Sequence, residues 1–203
     1  MPDTLSEKSA AADPIAQFAN WYERARESIK PLPEAVALAT ASRAGHPSVR
    51  MVLLKEFDSH GFVFYTNYRS RKGRELQARP AACLVFQWSD LERQVRIDGT
   101  VQQVDAAASD AYYASRPLGA RHSAWASMQS ETVASRSVLE ASMQAVRERH
   151  ADSPPRPPHW GGYRVTPQAI EFWQGRADRL HDRLAYRRAA ASDAGWTIER
   201  LAP

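Results

Sequence analysis

Ala81-Ala82-Cys83-Leu84-Val85-Phe86-Gln87-Trp88, with the run that follows it, Gln94-Val95-Arg96-Ile97-Asp98-Gly99-Thr100-Val101-Gln102-Gln103-Val104, decides how the chain folds. The first run is almost wholly apolar, and in the second Val95, Ile97 and Val101 share one face of a period-two pattern, so both read as strands. Outward from this pair, strand-like runs cover 35–41, 48–54 and 62–65 on one side and 162–165, 169–173, 180–186 and 196–201 on the other. Turn signals such as Ala44-Gly45 and Asp58-Ser59-His60-Gly61 separate several of them. Asp13 as N-cap and Pro14 at the first helical position open a helix that runs to about Ile29, with Ile15, Phe18, Ala19 and Tyr22 on one stripe. Pro31 and Pro33 end it. Short helices fit 70–77 and 106–114, and the capping box Ser137-Val138-Leu139-Glu140 opens a longer one over 137–149. Many short strands with a few interspersed helices predict a mostly β fold, an antiparallel barrel with peripheral α-helices. Residues 1–13 are expected as a disordered tail and 14–203 as a single domain, since 203 residues suit one sizeable core.

Composition removes several function classes. Apolar content of 43% and charged content of 25% are ordinary for a globular protein, and apolar runs such as 81–86 are too short to span a bilayer. Met1 to Asp13 has no basic stretch leading into an apolar one, so neither a signal peptide nor a membrane anchor is expected, and a cytoplasmic protein follows by default. The single cysteine, Cys83, excludes an intrachain disulfide, and its apolar run marks it as a buried structural thiol. The six histidines are scattered without HExxH or HxH spacing, so no metal is expected. No GxGxxG or GxxxxGK[ST] occurs, which disfavours Rossmann and P-loop nucleotide sites. The formal charge of +4 is low for a nucleic-acid module, and 94–104 lacks the basic residues interleaved with aromatics that such a module presents.

Anion sites are the positive signal. In Asn67-Tyr68-Arg69-Ser70-Arg71-Lys72-Gly73-Arg74, Ser70 reads as an N-cap, which puts three cations in a first helical turn whose dipole already repels them. A phosphate at that helix start would account for them, and so would a solvated charged face. If Arg179-Leu180-His181-Asp182-Arg183 is a strand, Arg179, His181 and Arg183 share a face and need an anion or a carboxylate to answer them; an exposed polar face is the alternative. Arg50 and Lys55 fall on opposite faces by parity, so a shared site needs a bulge or a strand end between them. Trp173 serves either core packing or the wall of a ring pocket. Tyr112 and Arg116, four apart before Pro117, share a helix face, which a surface cation–π pair also explains.

Ten short words stand in order from Arg50 to the last residue, within a similarity that runs from about Asp13. They are Arg50-Met51-Val52-Leu53-Leu54-Lys55, Phe64-Tyr65-Thr66-Asn67, Ser70-Arg71-Lys72, Leu91-Glu92-Arg93-Gln94-Val95 and Ser115-Arg116-Pro117, then Gln129-Ser130, Trp160-Gly161-Gly162, Ile170-Glu171-Phe172-Trp173-Gln174-Gly175, Arg179-Leu180-His181-Asp182-Arg183 and Arg200-Leu201-Ala202-Pro203. In them the chain resembles the pyridoxine/pyridoxamine 5'-phosphate oxidase family. The resemblance implies an FMN-binding split barrel, active as a homodimer with FMN at the subunit interface. It implies FMN contacts from Arg50, Met51, Val52, Leu53, Leu54, Lys55, Tyr65, Thr66, Arg71, Lys72, Gln94, Gln129, Ser130, Trp173 and Arg183, with Arg71 and Lys72 on the FMN phosphate. The implied substrates are pyridoxamine 5'-phosphate and pyridoxine 5'-phosphate, met by Lys55, Tyr112 and Arg116 at the phosphate and by Arg179 and His181, the catalytic candidates, near the reacting carbon. The implied products are pyridoxal 5'-phosphate and hydrogen peroxide, with dioxygen as acceptor.

Two departures stand out. Ala120 occupies a place where the family usually has a phosphate-binding serine, and Ser123 stands where glycine is usual; residues 1–13 show no Arg- and Tyr-rich arm. A related split-barrel flavoprotein with another substrate, and a non-catalytic flavin or pyridoxal phosphate-binding protein, are the competing functions.

Overall fold

The computed structural model describes residues 4–188 and 195–203. Among them nine strands, β1 (Ala35–Ala41), β2 (Pro47–Leu53), β3 (Glu56–Asp58), β4 (Gly61–Asn67), β5 (Ala81–Trp88), β6 (Arg93–Gln103), β7 (Trp160–Gln174), β8 (Asp182–Arg188) and β9 (Trp196–Arg200), form one antiparallel sheet. The order is β2-β1-β5-β6-β7-β4-β3, and β8 and β9 continue from β7. Helices α1 (Pro14–Ser28), α2 (Arg71–Ala78), α3 (Ala106–Ser115), α4 (Leu118–Ala126) and α5 (Arg136–His150) lie around this curled sheet, the split barrel that the strand pattern predicts. No helix among the described residues is long and apolar enough to cross a membrane.

The two strands predicted over 162–165 and 169–173 are one strand, β7, which crosses Pro167 because the register against β6 shifts at Asp98/Gly99. A proline cannot donate to a ladder, and an irregular register is where a sheet tolerates one. β7 pairs with β6 along its length, with β4 through Trp160–Val165 and with β8 through Ala169–Gln174. One strand therefore carries two different neighbourhoods.

α1 packs one face into the main core. Asp13 caps it, accepting from Ile15 N at 3.1 Å, and Phe18, Trp21 and Ala25 are its buried apolar residues beyond Pro14. The buried stripe thus includes Trp21 and Ala25 rather than Ala19 and Tyr22, which are only half-buried. Phe18 is fully buried and meets Phe57, Phe62 and Phe86 with ring centroids 5.0, 4.9 and 5.1 Å away. Losing such a side chain typically costs about 3–5 kcal/mol. Residues 4–13, read as a tail, lie against the body: Leu5 is buried, Glu7 pairs with Arg200 at 2.8 Å, and Ala11 O accepts from the Tyr186 hydroxyl.

Three further differences bear on the site. The strand predicted over 180–186 begins at Asp182, and Ala177–Arg179 is a short 3-10 turn with Asp178 and Arg179 at φ of 57° and 61°. α5 starts at Arg136, one residue early, so Ser137 falls inside the first turn and Glu140 accepts from Arg136 Nε instead of closing a capping box. α4 and β3 have no counterpart in the expected elements.

Candidate active site

A cleft of about 540 Å3 is lined by β2, β4, the start of α2, and the α3–α4 pair. Arg50, Met51, Val52, Leu53, Lys55, Tyr65, Thr66, Lys72, Gln129, Tyr112 and Arg116 all reach it. Arg50 and Lys55 meet there because β2 ends at Leu53, supplying the strand end that parity required. Leu54 does not contribute; it is buried in the main core. Ser130 is exposed beside the cleft at φ 76°, and Arg71 is also absent from the lining.

The cations of α2 are answered in different ways. Ser70 caps the helix, its Oγ accepting from Gly73 N. Arg71 Nε pairs with Glu75 at 2.9 Å, and Arg74 pairs with Glu131 at 2.6 Å. Arg50 reaches across from β2 to the same Glu75 at 3.1 Å. Burial raises the Glu75 carboxyl, but hydrogen bonds from Ser48, Thr40, Arg71 and Arg50 outweigh it and hold the group at about 2. Lys72 is different. Its side chain is 7% exposed, and Nζ donates to three neutral oxygens, Thr66 Oγ1, Ser70 Oγ and Gln129 Oε1, at 3.1, 3.2 and 3.0 Å. Burial, then the nearby Arg50 charge, lower Lys72 to about 8 although Glu75 pulls it upward. A buried ammonium with only neutral acceptors and a second cation beside it suits an anion such as a phosphate.

The α3–α4 side is aromatic. Tyr65 stacks on Tyr112 with ring centroids 3.9 Å apart, and Trp160 lies nearly parallel to Tyr112 at 6.2 Å. Gly162 faces Tyr65 across the β4–β7 ladder, where an added Cβ would fall 2.8 Å from Tyr65 Cε1. Burial and the neighbouring Glu56 push the Tyr65 hydroxyl to about 12, so the ring stays neutral. Arg116 lies 4.5 Å over the Trp160 ring. Burial lowers its pKa, and its Nη1 has no hydrogen-bond partner among the described residues. Such a group is costly to bury unless an anion answers it.

The remaining candidates form a second group on β6, β7 and β8. Gln94, Trp173 and Arg183 lie in one cross-strand row. Arg183 Nε donates to Glu171 at 2.7 Å, and Nη1 donates to Ala202 O. His181 lies 4.6 Å from the Trp173 ring, and its Nδ1 accepts from Arg176 N at 3.1 Å. Arg179 sits exposed in the 3-10 turn. Arg179, His181 and Arg183 are therefore no strand stripe: only Arg183 is in β8, and carboxylates (Glu171, and Asp182 on Arg176) answer the local charge. None of these residues lines the 540 Å3 cleft, so within one chain the candidates fall into two separate groups.

Residues 22–150 match the family profile described as pyridoxamine 5'-phosphate oxidase. The chain belongs to that family. Residues 160–203 match the pyridoxine 5'-phosphate oxidase C-terminal dimerisation region, which spans β7 to β9 and holds Trp173, Arg179, His181 and Arg183 of the second group, Gln94 lying outside it. A pyridoxine/pyridoxamine 5'-phosphate oxidase of Burkholderia cenocepacia is 56% identical over 200 residues, covering 98% of this chain and 94% of that protein. One of Cupriavidus metallidurans is 55% identical over 203 residues, covering 100% and 95%. Among solved structures, PhzG of Burkholderia lata in complex with tetrahydrophenazine-1-carboxylic acid superposes with a TM-score of 0.91 at 31% identity, covering 99% of this chain and 98% of that one. A pyridoxamine 5'-phosphate oxidase-related, FMN-binding protein of Nostoc punctiforme shares the fold, with a TM-score of 0.73 at 19% identity, covering 98% and 100%.

Family membership leaves some cleft residues without a sequence-derived role. Trp160, Asn67, Ser123 and Ser127 line it, and Glu75 holds Arg50 of the lining together with Arg71 beside it. Trp160 precedes a glycine pair, a sign of close packing, and Glu75 follows Arg71 at helical ion-pair spacing. Ser123 stands out only as a departure from the family's glycine and Asn67 only as the end of a motif word, and Ser127 carries no comparable signal.

Proposed function

We propose that the protein oxidises pyridoxamine 5'-phosphate and pyridoxine 5'-phosphate to pyridoxal 5'-phosphate, with FMN as cofactor and dioxygen as acceptor, as a cytoplasmic homodimer. The observation that carries this is a pair of cations in one cleft, buried Lys72 with only neutral acceptors and half-buried Arg116 with a buried, unpartnered Nη1. Two phosphates, one on the cofactor and one on the substrate, would answer both.

Lys72, Arg50 and Arg71 would bind the FMN phosphate, with the Thr66 hydroxyl and Gln129 beside them. Arg116 and Lys55 would hold the substrate phosphate, and Tyr112 would pack against it on the Trp160 side. A partner subunit would bring Gln94, Trp173 and Arg183 to the flavin and Arg179 and His181 to the substrate, while Ser130 would meet the flavin from the same subunit as Gln129. The separation of the two groups and the family's dimerisation region support that arrangement. FMN, when bound, accepts a hydride equivalent from the substrate's reacting carbon and passes electrons to dioxygen, giving hydrogen peroxide. Holding the substrate ring by its phosphate is an orientational contribution to rate. Because Arg176 N–H donates to Nδ1, a neutral His181 keeps its proton on Nε2 and offers it as a hydrogen-bond donor.

A second function is favoured by Ala120, which removes a hydroxyl from the substrate-phosphate side: a carboxylate-bearing ring substrate, such as the ligand in the PhzG complex. A visible spectrum followed by oxygen uptake separates the two. Yellow protein that consumes oxygen with pyridoxamine 5'-phosphate supports the main proposal; yellow protein inert to both pyridoxal precursors overturns its substrate.

A further inference from the structure

We propose that Glu75 is a positioning residue for the cofactor phosphate: it fixes two guanidiniums from separate elements and sets the charge of their site to match a phosphate monoester. This rests on the FMN proposal above. Glu75 is 6% exposed, and its two oxygens are fully engaged. Oε2 accepts from the hydroxyls of Thr40 on β1 and Ser48 on β2 and from Arg50 Nη2, and Oε1 accepts from Arg71 Nε. Thr40 also accepts from Arg50 Nη1, which donates besides to Leu38 O. Arg50 therefore has its plane fixed on three sides, and Arg71 is drawn toward the same carboxylate. Both Glu75 oxygens accept bonds from the protein and a carboxylate repels a phosphate, so Glu75 acts through the two arginines.

The charges make the second half of the case. Arg50, Arg71 and Lys72 without Glu75 would be three clustered cations; with it the group carries two net positive charges. A phosphate monoester carries about −1.5 to −2 at neutral pH. A carboxylate serving only to tie β1, β2 and α2 together would support any flavin equally. One serving the phosphate would act only on a flavin that has one.

Flavin-free wild type, Glu75→Gln and the milder Thr40→Val are titrated with FMN and with riboflavin, following flavin fluorescence, with thermal unfolding in parallel. Glu75→Gln keeps the size of the side chain and loses the charge. Its FMN affinity should fall about ten- to a hundred-fold while riboflavin affinity changes by no more than about twofold. Thr40→Val should lower the ratio of FMN to riboflavin affinity several-fold in the same direction, which keeps the test open if Glu75→Gln does not fold. Equal losses for both flavins, or an unchanged ratio in either folded variant, overturn the inference. Wild-type protein that binds neither flavin overturns the FMN proposal, and this inference with it.

Discussion

Replacing Lys72 with methionine should separate the stability of the flavin-free protein from its affinity for FMN, because the same burial acts on the two with opposite sign. Burial, reinforced by Arg50, lowers Lys72 from its ordinary 10.5 to about 8. At about 1.4 kcal/mol per unit, the ammonium costs the flavin-free fold about 3 kcal/mol relative to the unfolded chain, an order-of-magnitude figure. The folded pKa lies below the unfolded one, so the unfolded chain holds the extra proton between about pH 8 and 10.5. The penalty is thus complete below pH 8 and is relieved as pH rises through that window. Methionine has nearly the same length and packs adaptably. It removes the penalty but forfeits three hydrogen bonds to Thr66, Ser70 and Gln129, each with a net value of about 0.5–1.5 kcal/mol. Without flavin, at about pH 7, Lys72→Met should therefore lie within about 1.5 kcal/mol of wild type in either direction, and it should lose ground against wild type as pH rises toward 10. Its FMN affinity should fall about ten- to a hundred-fold, the equivalent of one charge-assisted hydrogen bond. For wild type, FMN affinity should decline above pH 8, since binding must then take up a proton. Thermal unfolding without flavin at both pH values and a fluorescence titration with FMN give every quantity. A variant clearly less stable than wild type at neutral pH, yet with unchanged FMN affinity, would refute the reasoning.

Ala120→Ser should lower KM for pyridoxamine 5'-phosphate several-fold and leave kcat nearly alone, since a hydroxyl on a remote phosphate is felt equally by ground and transition states. Ser123 lines the cleft with its own hydroxyl donated to Ala120 O at 2.9 Å, so an unchanged KM in oxygen-uptake assays would mean that it turns to the substrate. Arg183→Ala should lose FMN on gel filtration, whereas Arg179→Ala and His181→Ala should keep the flavin and lower turnover; flavin loss in all three would undo that division. Gly73→Ala should destabilise the protein by about 1–3 kcal/mol in thermal unfolding, because the added methyl would lie 2.1 Å from Tyr68 O, backbone that cannot swing aside. A neutral result there would show that the turn entering α2 yields easily.

The sheet was legible because its strands carry the alternation or the apolar runs that a half-buried or buried strand requires, from Ala35–Ala41 to Trp196–Arg200. α2 was legible from Ser70, whose hydroxyl caps the helix as its position predicts. The Arg179–Arg183 segment misled because a period-two pattern of cations is equally compatible with a turn. Positive φ at Asp178 and Arg179, neither a glycine, leaves no mark in the sequence. Glu75 was half legible. Its pairing with Arg71 follows helix spacing, but its bonds to Thr40 and Ser48 span 35 and 27 residues and depend on how β1 and β2 meet α2. The division of the candidate residues into two groups was visible only once β7 proved to be one strand with different neighbours at its two ends.

Tyr113, Ala124 and Trp160, with Tyr65 and Tyr112 against them, form an apolar cluster separate from the main core around Phe18. Tyr112, Arg116 and Ser123 therefore hang on a small aromatic annex, while Arg50, Thr66 and Lys72 are set by the large sheet and α2. Mutations that reshape the annex draw on few of the contacts that keep the barrel folded. Over evolutionary time such a protein can change the shape of this side of the cleft by rewriting two helices, leaving the sheet and α2 side untouched.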